Sequence, residues 1–151
     1  MKESSDGQSP APTHPSHPGT IRVFVAMSFR EVQEPALVDY WYAMQRAARR
    51  ARHDFDLRRI DEVEGDYEIV ERIFREVDEA DLIIADLTLS PPNVYLELGY
   101  ARGRGKHVIQ TCREDTAIEF DVRGHRTIMY RNATILEERL FRALDAYAGT
   151  G

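Results

Sequence analysis

The stretch Asp81-Leu82-Ile83-Ile84-Ala85-Asp86-Leu87 decides the fold of this chain. Its apolar residues follow one another without alternation, which is typical of a strand buried on both faces of a parallel sheet. A second run of this kind, Ile21-Arg22-Val23-Phe24-Val25-Ala26-Met27, lies sixty residues earlier. We therefore expect both segments to be strands in the middle of one sheet that is covered by helices on each side.

Predicted helices alternate with predicted strands on both sides of this stretch. Further strands are predicted at residues 55–60, 107–112 and 126–130. Apolar residues recur at helical spacing between and after the strands; the clearest cases are Leu37, Trp41, Met44, Ala48 and Ala51 in one helix and Leu136, Leu140, Leu144 and Tyr147 in another. The pattern predicts an α/β, flavodoxin-like three-layer sandwich with a five-stranded parallel sheet of order 2-1-3-4-5.

Composition limits the classes of partner. The 151 residues suffice for one domain. Lys and Arg total 20 against 26 Asp and Glu, a net charge of -6, which argues against a nucleic-acid partner. No apolar run approaches the about 20 residues that span a bilayer, so we expect no membrane partner. The single cysteine, Cys112, excludes an internal disulfide and favours a structural thiol in a cytoplasmic protein.

The domain is expected to begin after a tail. Residues 9–19 contain four of the seven prolines and almost no apolar side chain. Such a segment buries too little surface to offset the entropy of ordering it. We therefore predict a disordered tail at residues 1–20 and one domain at residues 21–149. The arginines Arg46, Arg49, Arg50 and Arg52 are expected to be solvated on the outer face of the first helix.

In open α/β sheets, ligands bind beyond the carboxyl ends of the strands. This rule selects three loops as the candidate ligand-binding site, at residues 27–30, 86–93 and 112–115. Asn93 stands where a helix N-cap is expected, and Glu97 follows at about the first turn. The positive end of the helix dipole favours an ionised carboxylate there, which suits a nucleophile or base but equally a purely structural acid.

Several segments carry a resemblance to a known superfamily. Residues 81–88 (DLIIADLT), 92–101 (PNVYLELGYA) and 105–109 (GKHVI), together with the opening FVAMSF at 24–29, resemble the nucleoside 2-deoxyribosyltransferase-like superfamily. That group includes nucleoside deoxyribosyltransferases, nucleoside-monophosphate N-glycosidases and TIR-related effector domains of bacterial defence systems. The resemblance covers roughly residues 21–130 and implies a flavodoxin-like fold, in agreement with the fold predicted from the periodicity.

The resemblance implies two catalytic candidates. Glu97 matches the glutamate that attacks C1′ of the sugar while the base departs, as an oxocarbenium-like transition state requires. Asp86, which ends the central strand, either faces the crevice or forms a structural hydrogen bond with the following loop. In the first case Asp86 or Asn93 orients the sugar. The loop offers fewer acidic residues than the transferases of this group usually carry.

Substrate-binding candidates lie in two further segments. Met27, Ser28 and Phe29 form the loop after the first strand, where the hydroxyl and backbone N–H of Ser28 can hold a phosphate or sugar oxygen. Arg30 either joins them or is a solvated cation. Asp121 lies in Phe120-Asp121-Val122-Arg123, which resembles a segment of TIR-like relatives, and either pairs with Arg123 or contacts a ligand.

The sequence therefore predicts cleavage of the N-glycosidic bond of a nucleoside or nucleotide, by hydrolysis or by transfer. We expect no metal and no cofactor, because there is no His cluster and no Gly-x-Gly-x-x-Gly after the first strand. One alternative is a non-catalytic, TIR-like module that senses nucleotides, for example in a bacterial defence system. Another is an interaction domain without a small ligand. The resemblance also implies a homo-oligomer.

Overall fold

The computed structural model describes residues 19–60, 67–118 and 126–149. In these ranges the strands are β1 (Ile21–Ala26), β2 (Phe55–Arg58), β3 (Leu82–Asp86), β4 (His107–Arg113) and β5 (Thr127–Tyr130), and the helices are α1 (Ala36–Arg50), α2 (Tyr67–Glu79), α3 (Pro92–Gly103) and α4 (Ala133–Ala148). Neighbouring strands pair in parallel in the order β2-β1-β3-β4-β5. The predicted flavodoxin-like fold and its strand order are confirmed.

The central strand is β3, and all its residues are buried. Ile84 pairs with Val25 of β1 on one side and with Ile109 of β4 on the other. Both faces are covered by helices, which explains why its apolar residues do not alternate with polar ones.

The sheet separates two apolar cores. The first joins alternate residues of β1 and β3 to α1 and α4, and its buried members include Val25, Met27, Leu37, Met44, Leu82, Ile84, Leu136, Leu140 and Leu144. The second joins the intervening residues to α2 and α3, and its buried members include Phe24, Ala26, Ile73, Val77, Ile83, Ala85, Val94 and Leu98. Side chains of adjacent strand residues therefore point into different cores.

The start of α3 differs from the prediction. Pro91 is the N-cap and Pro92 occupies the first helical position, so Asn93 lies inside the first turn. The predicted N-cap role of Asn93 is wrong. Proline suits the first helical position because its φ is already helical and its missing N–H would have no partner there, so the helix begins earlier than the Asn suggested.

The arginines on the outer face of α1 take part in contacts with α4. Arg46 and Arg50 pair with Glu137, and Arg50 also pairs with Glu138, at N–O distances of 2.6, 3.0 and 2.9 Å. The arginine side chains remain exposed, as predicted, so these ion pairs contribute little to stability. These ion pairs connect α1 and α4, the two helices that cover this face.

The predicted tail and the expected absence of a membrane-spanning segment are taken in turn. Of the predicted tail, the structure describes Gly19 and Thr20 alone, so the tail stays a prediction. Within the described residues, none of the helices has the length and apolar character needed to cross a membrane.

The packing of α3 can be tested with two leucines of the same helix. Leu98 is 3% exposed and Leu96 is 58% exposed. We expect Leu98→Ala to lower the free energy of unfolding by about 3 kcal/mol, because it leaves a cavity in the second core. Leu96→Ala should change it by no more than about 0.5 kcal/mol. Urea unfolding measures both, and equal losses would contradict the described orientation of α3.

Candidate active site at the carboxyl edge of the sheet

The ends of β3 and β4 place the loops that follow them side by side. Asp86 and Thr111 are partners in the register of the two strands, and the backbone N–H of Leu87 continues the pairing by donating to the carbonyl of Thr111 at 2.8 Å. The loop after β3 therefore starts against β4, at the edge where parallel α/β sheets bind their ligands.

Asp86 is fully buried at this edge and accepts hydrogen bonds from three groups. The hydroxyls of Thr111 and Tyr130 donate to Oδ2 at 2.6 and 2.8 Å, and the backbone N–H of Thr88 donates to Oδ1 at 3.1 Å. Burial raises the pKa of Asp86, and the hydrogen bonds oppose that rise. Of the two alternatives for Asp86, the geometry favours the hydrogen bond to the loop.

Tyr130, at the end of β5, extends this network, and sequence reasoning did not single it out. Its hydroxyl lies 2.9 Å from the hydroxyl oxygen of Thr88, which in turn accepts from the backbone N–H of Arg113 at 3.0 Å. Its ring packs edge-on against Tyr40 of α1, with centroids 5.0 Å apart. Burial is the main cause that raises the pKa of the Tyr130 hydroxyl, so the group remains a neutral donor. The hydroxyl of a buried tyrosine usually needs a polar partner. A tyrosine at the end of an apolar strand was therefore the signal that could have identified Tyr130.

The loop between β3 and α3 has a strained backbone. Leu89 and Ser90 have positive φ angles of 70° and 46° although neither is glycine. Contacts with the loop after β4 hold this conformation: the N–H of Leu89 donates to the hydroxyl of Thr116 at 3.3 Å, and the hydroxyl of Ser90 donates to the carbonyl of Ala117 at 2.5 Å. Such strain persists only where surrounding structure fixes it, as in loops that shape functional sites.

Glu97 lies in the second turn of α3 and is 4% exposed. The other buried residues of the helix are Val94, Leu98 and Ala101, so Glu97 is the charged member of an otherwise apolar face. Acidic side chains are almost never this buried unless they are paired. Asn93, one turn earlier, is half-buried on the same side of the helix, as its spacing predicted.

The structure places the two catalytic candidates on different sides of the sheet. Asp86 follows the alternation of Leu82 and Ile84, which face α1 and α4. Glu97 is carried by α3, which covers the other face. The strained loop between β3 and α3 connects these two residues along the chain.

The loop after β1 contains three of the five predicted substrate-binding residues. Met27 and Ser28 are buried, and the hydroxyl of Ser28 accepts a hydrogen bond from the backbone N–H of Arg30 at 3.2 Å. This bond gives the loop a tight local turn. The ring of Phe29 lies below the guanidinium of Arg59, whose central carbon is 4.7 Å from the ring centroid. Arg30 is exposed.

Two arginines at strand ends border this loop, and neither was predicted to have a role in the site. Arg59 directly follows β2. Arg113 ends β4 and pairs with Glu34 at 3.1 Å and with Asp115 at 2.6 Å. Its guanidinium also donates to the hydroxyl of Tyr40 at 3.2 Å. Hydrogen bonds to these partners raise the pKa of Arg113, so it is a permanent cation at the edge.

The remaining candidates add little to the site. Asp121 and Arg123 lie outside the described residues, so their role stays a prediction. Cys112 is buried, and burial is the main cause that raises the pKa of its thiol to about 11, in agreement with a structural role. In the part of the chain that the structure describes, no group of three or more His, Cys, Asp or Glu side chains is placed to hold a metal ion.

These features define a flavodoxin-like α/β domain with a polar site at the carboxyl edge of its sheet. The fold is similar to that of the CMP N-glycosidase BcmB from Clostridium botulinum, with a TM-score of 0.54 and 21% identity over 83% of this chain and 99% of that protein. A 2-deoxyribosyltransferase from Leishmania mexicana gives a TM-score of 0.47 and 23% identity over 61% of this chain and 64% of that protein. No protein-family model and no curated protein sequence matches the chain. The likeness to BcmB bears out the predicted flavodoxin-like fold, and the resemblance to the nucleoside 2-deoxyribosyltransferase-like superfamily stays a prediction.

The burial of Asp86 leads to a pH dependence of stability. The pKa of Asp86 in the folded protein lies above its ordinary value of 3.8. The folded state therefore binds this proton more tightly than the unfolded state, and the contribution of Asp86 to stability is greatest below pH 3.8 and falls as the pH rises through the folded pKa.

We expect the difference in free energy of unfolding, wild type minus Asp86→Asn, to decrease between about pH 3 and pH 8. Urea unfolding at several pH values measures this difference. Asp39→Asn, at an exposed position of α1, serves as the matched control. A difference that stays constant or grows with pH would contradict the account of Asp86.

Proposed function

We propose that this protein cleaves the N-glycosidic bond of a nucleoside or nucleotide, with Glu97 as the nucleophile. The observation that carries the proposal is the carboxylate of Glu97, 4% exposed near the start of α3, at the edge where open α/β sheets bind ligands. The shared fold with a CMP N-glycosidase, over 99% of the length of that protein, supports this choice of reaction.

The chemistry requires one carboxylate on the face of the sugar opposite the base. An oxygen of Glu97 forms a bond to C1′ while the bond from C1′ to the base nitrogen breaks and its electron pair leaves with the base. The base takes up a proton, and the sugar remains as an ester of Glu97. Water then attacks C1′ and loses a proton, which balances the proton that the base took up, and the carboxylate is released with the free sugar or sugar phosphate. Alternatively, a nitrogen of a second base attacks C1′, loses its proton and yields a new nucleoside or nucleotide.

The other predicted residues have supporting roles in this proposal. In this proposal Asn93, one turn before Glu97, hydrogen-bonds a sugar hydroxyl. Met27, Ser28 and Phe29 border the same edge and contact the base or the phosphate. Asp86 acts as a positioning residue: it holds the N–H of Thr88, and through the loop it fixes the start of α3.

We expect wild-type protein incubated with CMP, deoxynucleosides, other nucleoside monophosphates and NAD to release free base from at least one of them. Glu97→Ala should lower the rate at least about 1000-fold, because the covalent route is lost. Glu97→Gln should lose activity similarly, since an amide is a poor nucleophile. Chromatography of the free base measures the rate.

Glu71→Gln is the matched control, because it neutralises an exposed glutamate on α2. Its activity should equal that of wild type. Base release that survives in folded Glu97→Ala would contradict the nucleophile. Binding of a nucleotide without any base release would instead support the sensing module, which the withdrawal of Asp86 into a buried network favours.

A further inference from the structure

Arg59 contacts three side chains of the loop that follows β1. Its guanidinium lies 3.8 Å from the sulfur of Met27, 4.7 Å from the ring centroid of Phe29 and 3.5 Å from a carboxylate oxygen of Glu31. No one of these contacts is short. Together they connect the end of β2 to residues 27, 29 and 31 of the loop.

The same guanidinium also reaches α1, where its central carbon lies 4.6 Å from the ring centroid of Trp41. The side chain of Arg59 is 16% exposed, so its contacts with the two rings are partly shielded from water, which strengthens a cation–π interaction. Arginine suits such a position because its planar cation stacks on rings and does not lose its proton.

The loop's own hydrogen bonds are local. The N–H of Glu31 donates to the carbonyl of Phe29 at 2.7 Å, and the N–H of Glu34 donates to the carbonyl of Arg30 at 2.9 Å. Bonds of this kind give the loop its shape without fixing where it lies on the sheet. Arg59 connects the loop to the rest of the fold, because its contacts join the loop to β2 and α1.

We propose that Arg59 is a positioning residue that holds the loop at residues 27–31 against the sheet and so sets the placement of Met27 and Phe29 in the site. The effect on substrate rests on the proposed function, whereas the effect on the loop does not. In this proposal Arg59 acts on the substrate through Met27 and Phe29.

The test compares Arg59→Met, which keeps the chain length and removes the cation, with Arg59→Lys, which keeps a cation without the planar group. Arg58→Met is the matched control, since Arg58 is the neighbouring residue and pairs with Asp56 at 3.0 Å. Hydrogen–deuterium exchange at residues 29–34 reports the loop directly. The emission of Trp41, the single tryptophan of the chain, reports the ring contact.

In Arg59→Met we expect the amides at residues 29–34 to exchange at least about 10-fold faster while those of β3 stay unchanged, because the substitution removes only interactions next to the loop. The Trp41 emission should shift. Arg59→Lys should lie between wild type and Arg59→Met, and Arg58→Met should match wild type in both measurements. If Arg59→Met does not fold, exchange in Arg59→Lys decides the proposal.

With a substrate that wild type cleaves, Arg59→Met should raise KM about 10-fold and change kcat less than about 3-fold, because substrate placement suffers and the nucleophile does not. If wild type cleaves nothing, the proposed function fails while the exchange data still test Arg59. If residues 29–34 of Arg59→Met exchange at the same rate as in the wild type, the proposal is overturned. The proposal is also overturned if exchange in Arg59→Met is accelerated equally in β3, or if the substitution lowers kcat and leaves KM unchanged.

Discussion

The carboxylate of Asp86 ties together three parts of the fold at the point where the central strand ends. Its donors come from β4, from β5 and from the loop that leads to α3. A fully buried carboxylate would be strongly unfavourable without these partners, because it has given up its hydration. The end of β3, the last two strands of the sheet and the entry to α3 are therefore stable only as one arrangement.

The path from this network to the candidate nucleophile runs through the loop. Thr88 is held from both sides, by Asp86 through its N–H and by Arg113 through its hydroxyl. The positive φ angles of Leu89 and Ser90 then turn the chain into α3. Since Glu97 lies in the second turn of that helix, its position follows from a strained segment that the surrounding strands fix.

The fold was predictable because its signals are local. The unbroken apolar run of β3 and the helical spacing in α1 and α4 each describe one element, and the parallel order follows from their alternation along the chain. The start of α3 was misplaced because Asn93 and the preceding prolines favour different first positions. The choice between the two roles of Asp86 depended on which face of the sheet α1 and α4 cover, which the sequence of β3 alone does not state.

The candidate site was predictable only in part. The sheet rule located the loops, and Glu97 and Asn93 share one side of α3 as their spacing indicated. Tyr130 and Arg59 were missed because their roles come from contacts 44 residues away with Asp86 and 28 residues away with Glu31. Periodicity and motif spacing carry no information on contacts between elements so far apart in the chain.

The most direct test of the covalent mechanism is the mass of the protein after reaction with a C2′-fluorinated analogue of a nucleoside or nucleotide that the wild type cleaves. Fluorine destabilises the oxocarbenium-like transition state and slows loss of the sugar from the enzyme, so the ester should accumulate. The covalent mechanism predicts a mass increase equal to the fluorinated sugar of that analogue, with its phosphate if it carries one, located by peptide mapping at Glu97. Continued base release without an adduct, or an adduct on another carboxylate such as Asp86, would contradict it.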